Sequence, residues 1–263
     1  MKIIRLYIIP LLMILFLFPS SMLAEESPIS ELDNIADQAL QMTKVGRLEE
    51  AKQLLQHFSD EFSVASVHHS FSMDELRVLT VAHNQAVEAV NSTSMNLQQR
   101  VNTVTSFRLV MDTLSSQYQP LWTEMEDPIM TTFQQVKTAA ENGNSEEYHS
   151  TLNSFLTKYN IIQPSLKLDI PVDKAQQLDT RISYIDQYRQ DVIQGTNPQE
   201  TLSNLEKDLQ NLFDGVTEDE SDPSLWWIII STGSIIILTL SYVGWRKYKG
   251  ESEELKKAKR LKD

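Results

Sequence analysis

Residues 178–192 read LDTRISYIDQYRQDV, and apolar side chains return at Leu178, Ile182, Ile185, Tyr188 and Val192. Steps of four and three lay these side chains along one stripe of a 3.6-residue helix, whereas a half-buried strand would alternate at every second residue. A second stripe follows at Leu202, Leu205, Leu209 and Leu212. Working outward with the same period, and using glycine and proline as punctuation, predicts helices over about 30–45, 48–62, 73–90, 95–118, 128–141, 145–159, 173–194 and 198–213. The expected fold class is all-α, a bundle of paired helical hairpins.

Local signals mark the ends of these helices. Ser72 followed by Glu75 has the spacing of a capping box. Asp127-Pro128 and Asn197-Pro198 each read as an N-cap followed by proline at the first helical position. Gly46, Gly143, Gly195 and Gly215 fall where helices should stop. Between the sixth and seventh helices, Pro164 and Pro171 argue against helix continuation while Leu166, Leu168 and Ile170 alternate, so 161–171 reads as an extended segment.

Composition bounds the chemistry. The chain has 263 residues, 41% of them hydrophobic, with no cysteine and a formal net charge of -13. Disulfides, thiolate metal sites and cysteine nucleophiles are excluded. Nucleic acid is excluded as an expected partner, because phosphate binding needs a basic face.

The two ends of the chain differ from the middle. Lys2 and Arg5 precede an apolar run from Leu6 to Phe18, then Pro19 and Ala24, the three-part pattern of a signal peptide over 1–24. Residues 25–217 form an acidic helical domain and 218–224 an acidic linker. Leu225 to Trp245 carries no charge and is long enough for a transmembrane helix, and 246–263 is a tail dominated by Lys and Arg. The basic tail predicts a cytoplasmic C-terminus and an extracytoplasmic 25–217, hence a single-pass membrane protein. Trp226, Trp227, Trp245, Arg246 and Lys247 would then sit at the membrane interface.

An internal similarity links two hairpins. Gly46, Glu49, Glu50, Ala51, Leu55 and Phe58 share their spacing with Gly143, Glu146, Glu147, Tyr148, Leu152 and Phe155. Glycine permits the tight turn, the glutamates suit a helix N-terminus, and the later positions form a buried stripe. The first copy is like one tetratricopeptide unit, but a solenoid needs at least three stacked copies at a fixed period, and these do not follow.

Catalytic patterns are missing. Among His57, His68, His69, His83 and His149, only Glu146 and His149 have metal-ligand spacing, and a di-metal bundle site needs a second such pair. Glu124, Glu126 and Asp127 beside Trp122 are better explained by a helix N-terminus, which favours negative charge, than by a hydrolase carboxylate pair. There is no phosphate loop, nucleophile elbow or zinc-protease motif. No enzyme activity, cofactor or metal is expected.

Arg108 is the anomaly. It lies on the stripe Leu97, Val101, Val104, Arg108, Met111, where a buried cation needs a partner, and Glu124, Glu126 and Asp127 are the candidates. An internal ion pair and a ligand-binding arginine are both open at this point. Tyr118 and Trp122, either side of Pro120, are either core plugs or anchors of a partner groove. Arg108, Tyr118, Trp122 and Glu124 are therefore the candidate partner-binding residues.

The run 107–127, FRLVMDTLSSQYQPLWTEMED, resembles the YpjB family of sporulation proteins, as does the layout of leader, helical domain, apolar segment and basic tail. The resemblance implies a membrane protein associated with endospore formation, and no catalytic residues. The expected function is binding to another envelope or sporulation protein. The alternative is an extracytoplasmic domain for a small cationic ligand or a cell-wall component, and a wall hydrolase ranks below both.

Overall fold

The structure is a computed structural model that describes residues 28–68, 70–116, 119–194, 198–218 and 223–260. The expected signal peptide, His69, Gly195, Asn197 and Tyr118 lie outside these residues, as does most of the acidic linker. Among the described residues every regular element is helical and none is a strand: α1 (Pro28–Lys44), α2 (Leu48–His68), α3 (Met73–Asn91), α4 (Leu97–Ser115), a short 3-10 turn (Leu121–Met125), α5 (Glu126–Glu141), α6 (Ser145–Asp169), α7 (Val172–Gln187), α8 (Arg189–Gln194), α9 (Pro198–Glu218) and α10 (Pro223–Arg260). The chain forms two compact units, one ending at Gln199 and one beginning at Glu200.

In the first unit the repeated hairpins are α1–α2 and α5–α6, and their turns are built alike. Gly46 has φ 77 and Gly143 φ 64, the left-handed region that an L side chain rarely adopts. Arg47 N–H donates to Met42 O and Gly46 N–H to Thr43 O, while Asn144 N–H donates to Ala139 O and Gly143 N–H to Ala140 O. Both are Schellman turns, which satisfy carbonyls that a helix end leaves open. Leu55, Phe58, Leu152 and Phe155 are all buried, as the shared spacing predicts.

Around α4 the other helices assemble: it packs on α1, α3 and α6. Its neighbours on several sides bury Val104, Phe107, Val110 and Met111, so its apolar residues are spread around the helix instead of along one stripe. Alanines at 36, 39, 51, 82 and 86 are buried in the α1–α4 core and let backbones approach closely. Phe58 meets Phe107 edge-on at 4.9 Å and stacks on His83 at 5.2 Å. His83 is therefore a core ring; its Nε2 lies 2.8 Å from Leu55 O, and desolvation lowers its pKa.

Three expectations about boundaries are corrected. Residues 161–171 are not extended: α6 continues through Pro164 to Asp169. Burial of Tyr159, Ile162 and Leu166 at helical spacing offsets the one lost N–H, and the carbonyl that Pro164 cannot reach belongs to the exposed Asn160. The stripe at 178–192 is broken at Tyr188, half exposed with φ -109 and ψ 39, so it spans α7 and α8. Pro128 lies third in α5, not first, still within the turn whose N–H groups have no helical acceptor. The Ser72–Glu75 capping box is formed, and a second one joins Asn96 and Gln99.

In the second unit, α9 buries Leu202, Leu205, Leu209 and Phe213 and runs past Gly215, which does not end it. The transmembrane helix expected at 225–245 is corrected: among the described residues no helix is long and apolar enough to cross a membrane. A span needs about 20 predominantly apolar residues. Trp226 and Trp227 belong to the first turns of α10; Trp245, Arg246 and Lys247 are exposed, and Lys249 Nζ lies 5.3 Å from the Trp245 ring.

Candidate functional site

An open groove of about 760 Å³ lies in the first unit, walled by α3, α4, α6 and α7. Its apolar lining is aliphatic: Val78, Val81, Ala82, Ile161, Pro164, Val172 and Ala175. Val81 and Val172 are among the exposed large hydrophobic side chains of the protein. Carboxamides enter from every wall, Gln85 on α3, Asn102 on α4, Asn160 and Gln163 on α6, and Gln176 on α7.

Helix periodicity explains why these groups share one face. Val78, Ala82 and Gln85 are three to four residues apart, as are Asn160, Gln163 and Lys167. The α7 wall is held by one carboxylate: Tyr159 Oη donates to Asp179 Oδ1 at 2.6 Å and Gln163 Nε2 donates to Oδ2 at 3.0 Å. Burial first, and then the hydrogen bond to Asp179 and the charge of that carboxylate, push the Tyr159 phenol well above its usual range, so it remains a donor. The charges that line the groove are balanced, Asp74 and Asp179 against Arg77 and Lys167, with Asp74 3.4 Å from Arg77.

Arg108 lies elsewhere in this unit, in an internal ion cluster. Its guanidinium is buried and donates to both oxygens of Asp33, at 2.7 and 3.2 Å. Asp37 is 3.5 Å away and Asp112 3.6 Å. Ser115 Oγ also donates to Asp33, and Leu121 N–H donates to Asp112 at 2.6 Å. The need for a carboxylate partner is met, but by α1 and by Asp112 one turn along α4, not by Glu124, Glu126 or Asp127, all near the start of α5. No sequence pattern near Arg108 could name Asp33, 75 residues away. Desolvation raises the Asp112 pKa more than Leu121 N–H and Arg108 lower it, with Asp33 and Glu124 adding to the rise.

Trp122 is a core plug and not a surface anchor. It is fully buried, and its indole N–H donates to Asp169 Oδ2 at 2.8 Å, pinning the 3-10 turn to the end of α6. Its polar edge needs such a partner once the ring is buried. Glu124, two residues on, is exposed. Of the four candidate residues, then, Arg108 and Trp122 serve the interior, Glu124 faces solvent, and Tyr118 is outside the described residues. Sequence reasoning missed the groove, whose carboxamides are scattered over 92 positions of chain and carry no local motif.

The class of protein defined by this architecture is an all-α domain of helical hairpins with an open, polar-lined groove. The family described as sporulation protein YpjB matches residues 29–257, and the chain belongs to that family. It is 35% identical over 256 residues to the uncharacterized protein YpjB of Bacillus subtilis (strain 168), covering 96% of this chain and 97% of that protein. No solved structure matches the chain. The expected resemblance is therefore correct, and the chain is a sporulation-associated protein.

Proposed function

We propose that this sporulation-associated protein is a non-catalytic interaction module that docks part of another sporulation or envelope protein in the groove between α3, α4, α6 and α7. The observation that carries this reading is an open cleft whose polar side chains have hydrogen-bonding capacity to spare beside exposed Val81 and Val172. The alternative, a site for a small cationic ligand or a cell-wall component, has less support. The carboxylates that gather most closely, Asp33, Asp37 and Asp112, are turned onto Arg108. Among the described residues, no group of three or more His, Asp or Glu could hold a metal ion.

A photo-crosslinking residue in place of Gln85, compared in sporulating cells with one in place of exposed Asp60 on α2, tests the reading. A discrete protein adduct from position 85 and none from position 60 supports it. Equal labelling from both positions, or none from either, overturns it.

A further inference from the structure

We propose that the groove takes an extended polypeptide segment of about five residues and reads it chiefly through its backbone; this rests on the groove being the docking surface. Length and chemistry both point there. Along α3 the lining runs from Asp74 to Gln85, and along α6 from Thr157 to Lys167. At 1.5 Å per residue each wall is about 15 Å long. An extended chain rising about 3.3 Å per residue fills that length with about five residues.

The wall chemistry matches peptide groups. A carboxamide carries a carbonyl acceptor and an N–H donor, the same pair that a peptide unit offers. Asn102 Oδ1 already accepts from Gln98, and Gln163 has given one hydrogen to Asp179, which leaves each with further donors. Among the described residues no protein group takes up the carboxamides of Gln85, Asn160 or Gln176, which are exposed on three different helices. Proteins commonly hold an extended peptide by adding it to a sheet edge. The described fold has no strand, so side-chain amides are the means it has of pairing a foreign backbone. A helical ligand would keep its peptide groups for itself and leave these amides facing its side chains.

Other ligand classes fit less well. Arg77 and Lys167 are balanced by Asp74 and Asp179, which gives a polyanion no net attraction. A sugar would find no aromatic ring in the lining on which to stack. Asp179 has both oxygens committed and Asp74 faces Arg77, so a cation would find no free carboxylate pair. The aliphatic patches at Val78, Ala82 and Ile161 would receive alternate side chains of the segment, and they suit small apolar ones. The chosen occupant is thus near-neutral, extended, and aliphatic at every second position.

The test uses the full-length protein and a capped pentapeptide library built from alanine, valine, serine, threonine and asparagine. The tightest member is carried into fluorescence polarisation. Gln85→Ala, Asn160→Ala and Gln176→Ala replace exposed side chains, and circular dichroism checks that each variant folds. Each should weaken binding about three- to tenfold, in line with loss of one hydrogen bond. N-methylation of the central amide of the peptide should cost about tenfold or more, and changing one of its outward side chains much less. Three results would overturn the proposal: binding indifferent to all three variants, binding indifferent to N-methylation, or tighter binding of a helix-stapled analogue. If no library member binds while the position-85 crosslinker still captures a protein, the extended-segment proposal fails and the docking reading stands. If both fail, both readings fall.

Discussion

Arg108 concentrates most of the buried charge of the first unit: one guanidinium compensates Asp33, Asp37 and Asp112. Removing one member of a buried ion pair leaves the other uncompensated, which costs about 3–5 kcal/mol. Asp33 and Asp37 retain some contact with water, so Arg108→Met should cost about 3 kcal/mol in urea unfolding, the low end of that range. Arg108→Lys should cost less, since it keeps the charge and loses the two-pronged bond to Asp33. Asp112 titrates above its ordinary 3.8, chiefly because it is desolvated. A carboxyl whose folded pKa is raised adds stability below its unfolded value and loses it as pH rises through the folded one. Asn at position 112 can still accept from Leu121 N–H but does not titrate. Stability of Asp112→Asn should therefore fall less than that of the wild type as pH rises from 3.8; parallel curves would refute the assignment. Tyr148 is fully buried, its hydroxyl has no hydrogen-bond partner among the described residues, and burial pushes its pKa up to about 12. An unpaired buried hydroxyl is a net cost, so Tyr148→Phe should be neutral or stabilising by up to about 1 kcal/mol in the same assay.

At the scale of the element, α6 carries the groove. It supplies Asn160 and Gln163, holds α7 through Tyr159, and ends on the Asp169 that receives Trp122. All of this depends on α6 passing through Pro164. A proline inside a helix is about 3 kcal/mol less favourable than alanine. Pro164→Ala, which restores an N–H able to reach Asn160 O, should raise stability by about 1–3 kcal/mol, measured by chemical denaturation. A loss of stability would show that the proline ring is needed where it packs. The prolines at 164 and 171 were legible in the sequence as breaks, but only the second is one. Pro171 caps the start of α7, while Pro164 is overridden by the burial of Ile161, Ile162 and Leu166 around it.

For the whole molecule the dominant quantity is charge. A net of -13 repels itself in the compact state, and added salt screens that repulsion. Raising salt from about 20 mM to about 500 mM shortens the screening length severalfold, so the thermal midpoint should rise by a few degrees. A falling midpoint would mean that favourable pairs such as Arg108–Asp33 outweigh the general repulsion. The groove sits within this acidic chain as a locally neutral cleft, and a near-neutral segment can enter it without meeting the excess negative charge.

The order of residues along the chain determined by itself that the protein is helical and where its hairpins turn. The deciding signals are local: the 3.6-residue apolar period, the Ser72–Glu75 box, and the glycines that admit positive φ at 46 and 143. Family membership was legible for a similar reason, in the run from Phe107 to Asp127. Tertiary structure alone decided that Arg108 faces Asp33, that Trp122 is an interior plug tied to Asp169, that α6 continues past Pro164, and that carboxamides from four helices meet in one cleft. Each of these depends on contacts between residues far apart in sequence, or on burial energy summed over several helices. It also shows, among the described residues, no helix long and apolar enough to cross a membrane, where the sequence by itself suggests a span at 225–245.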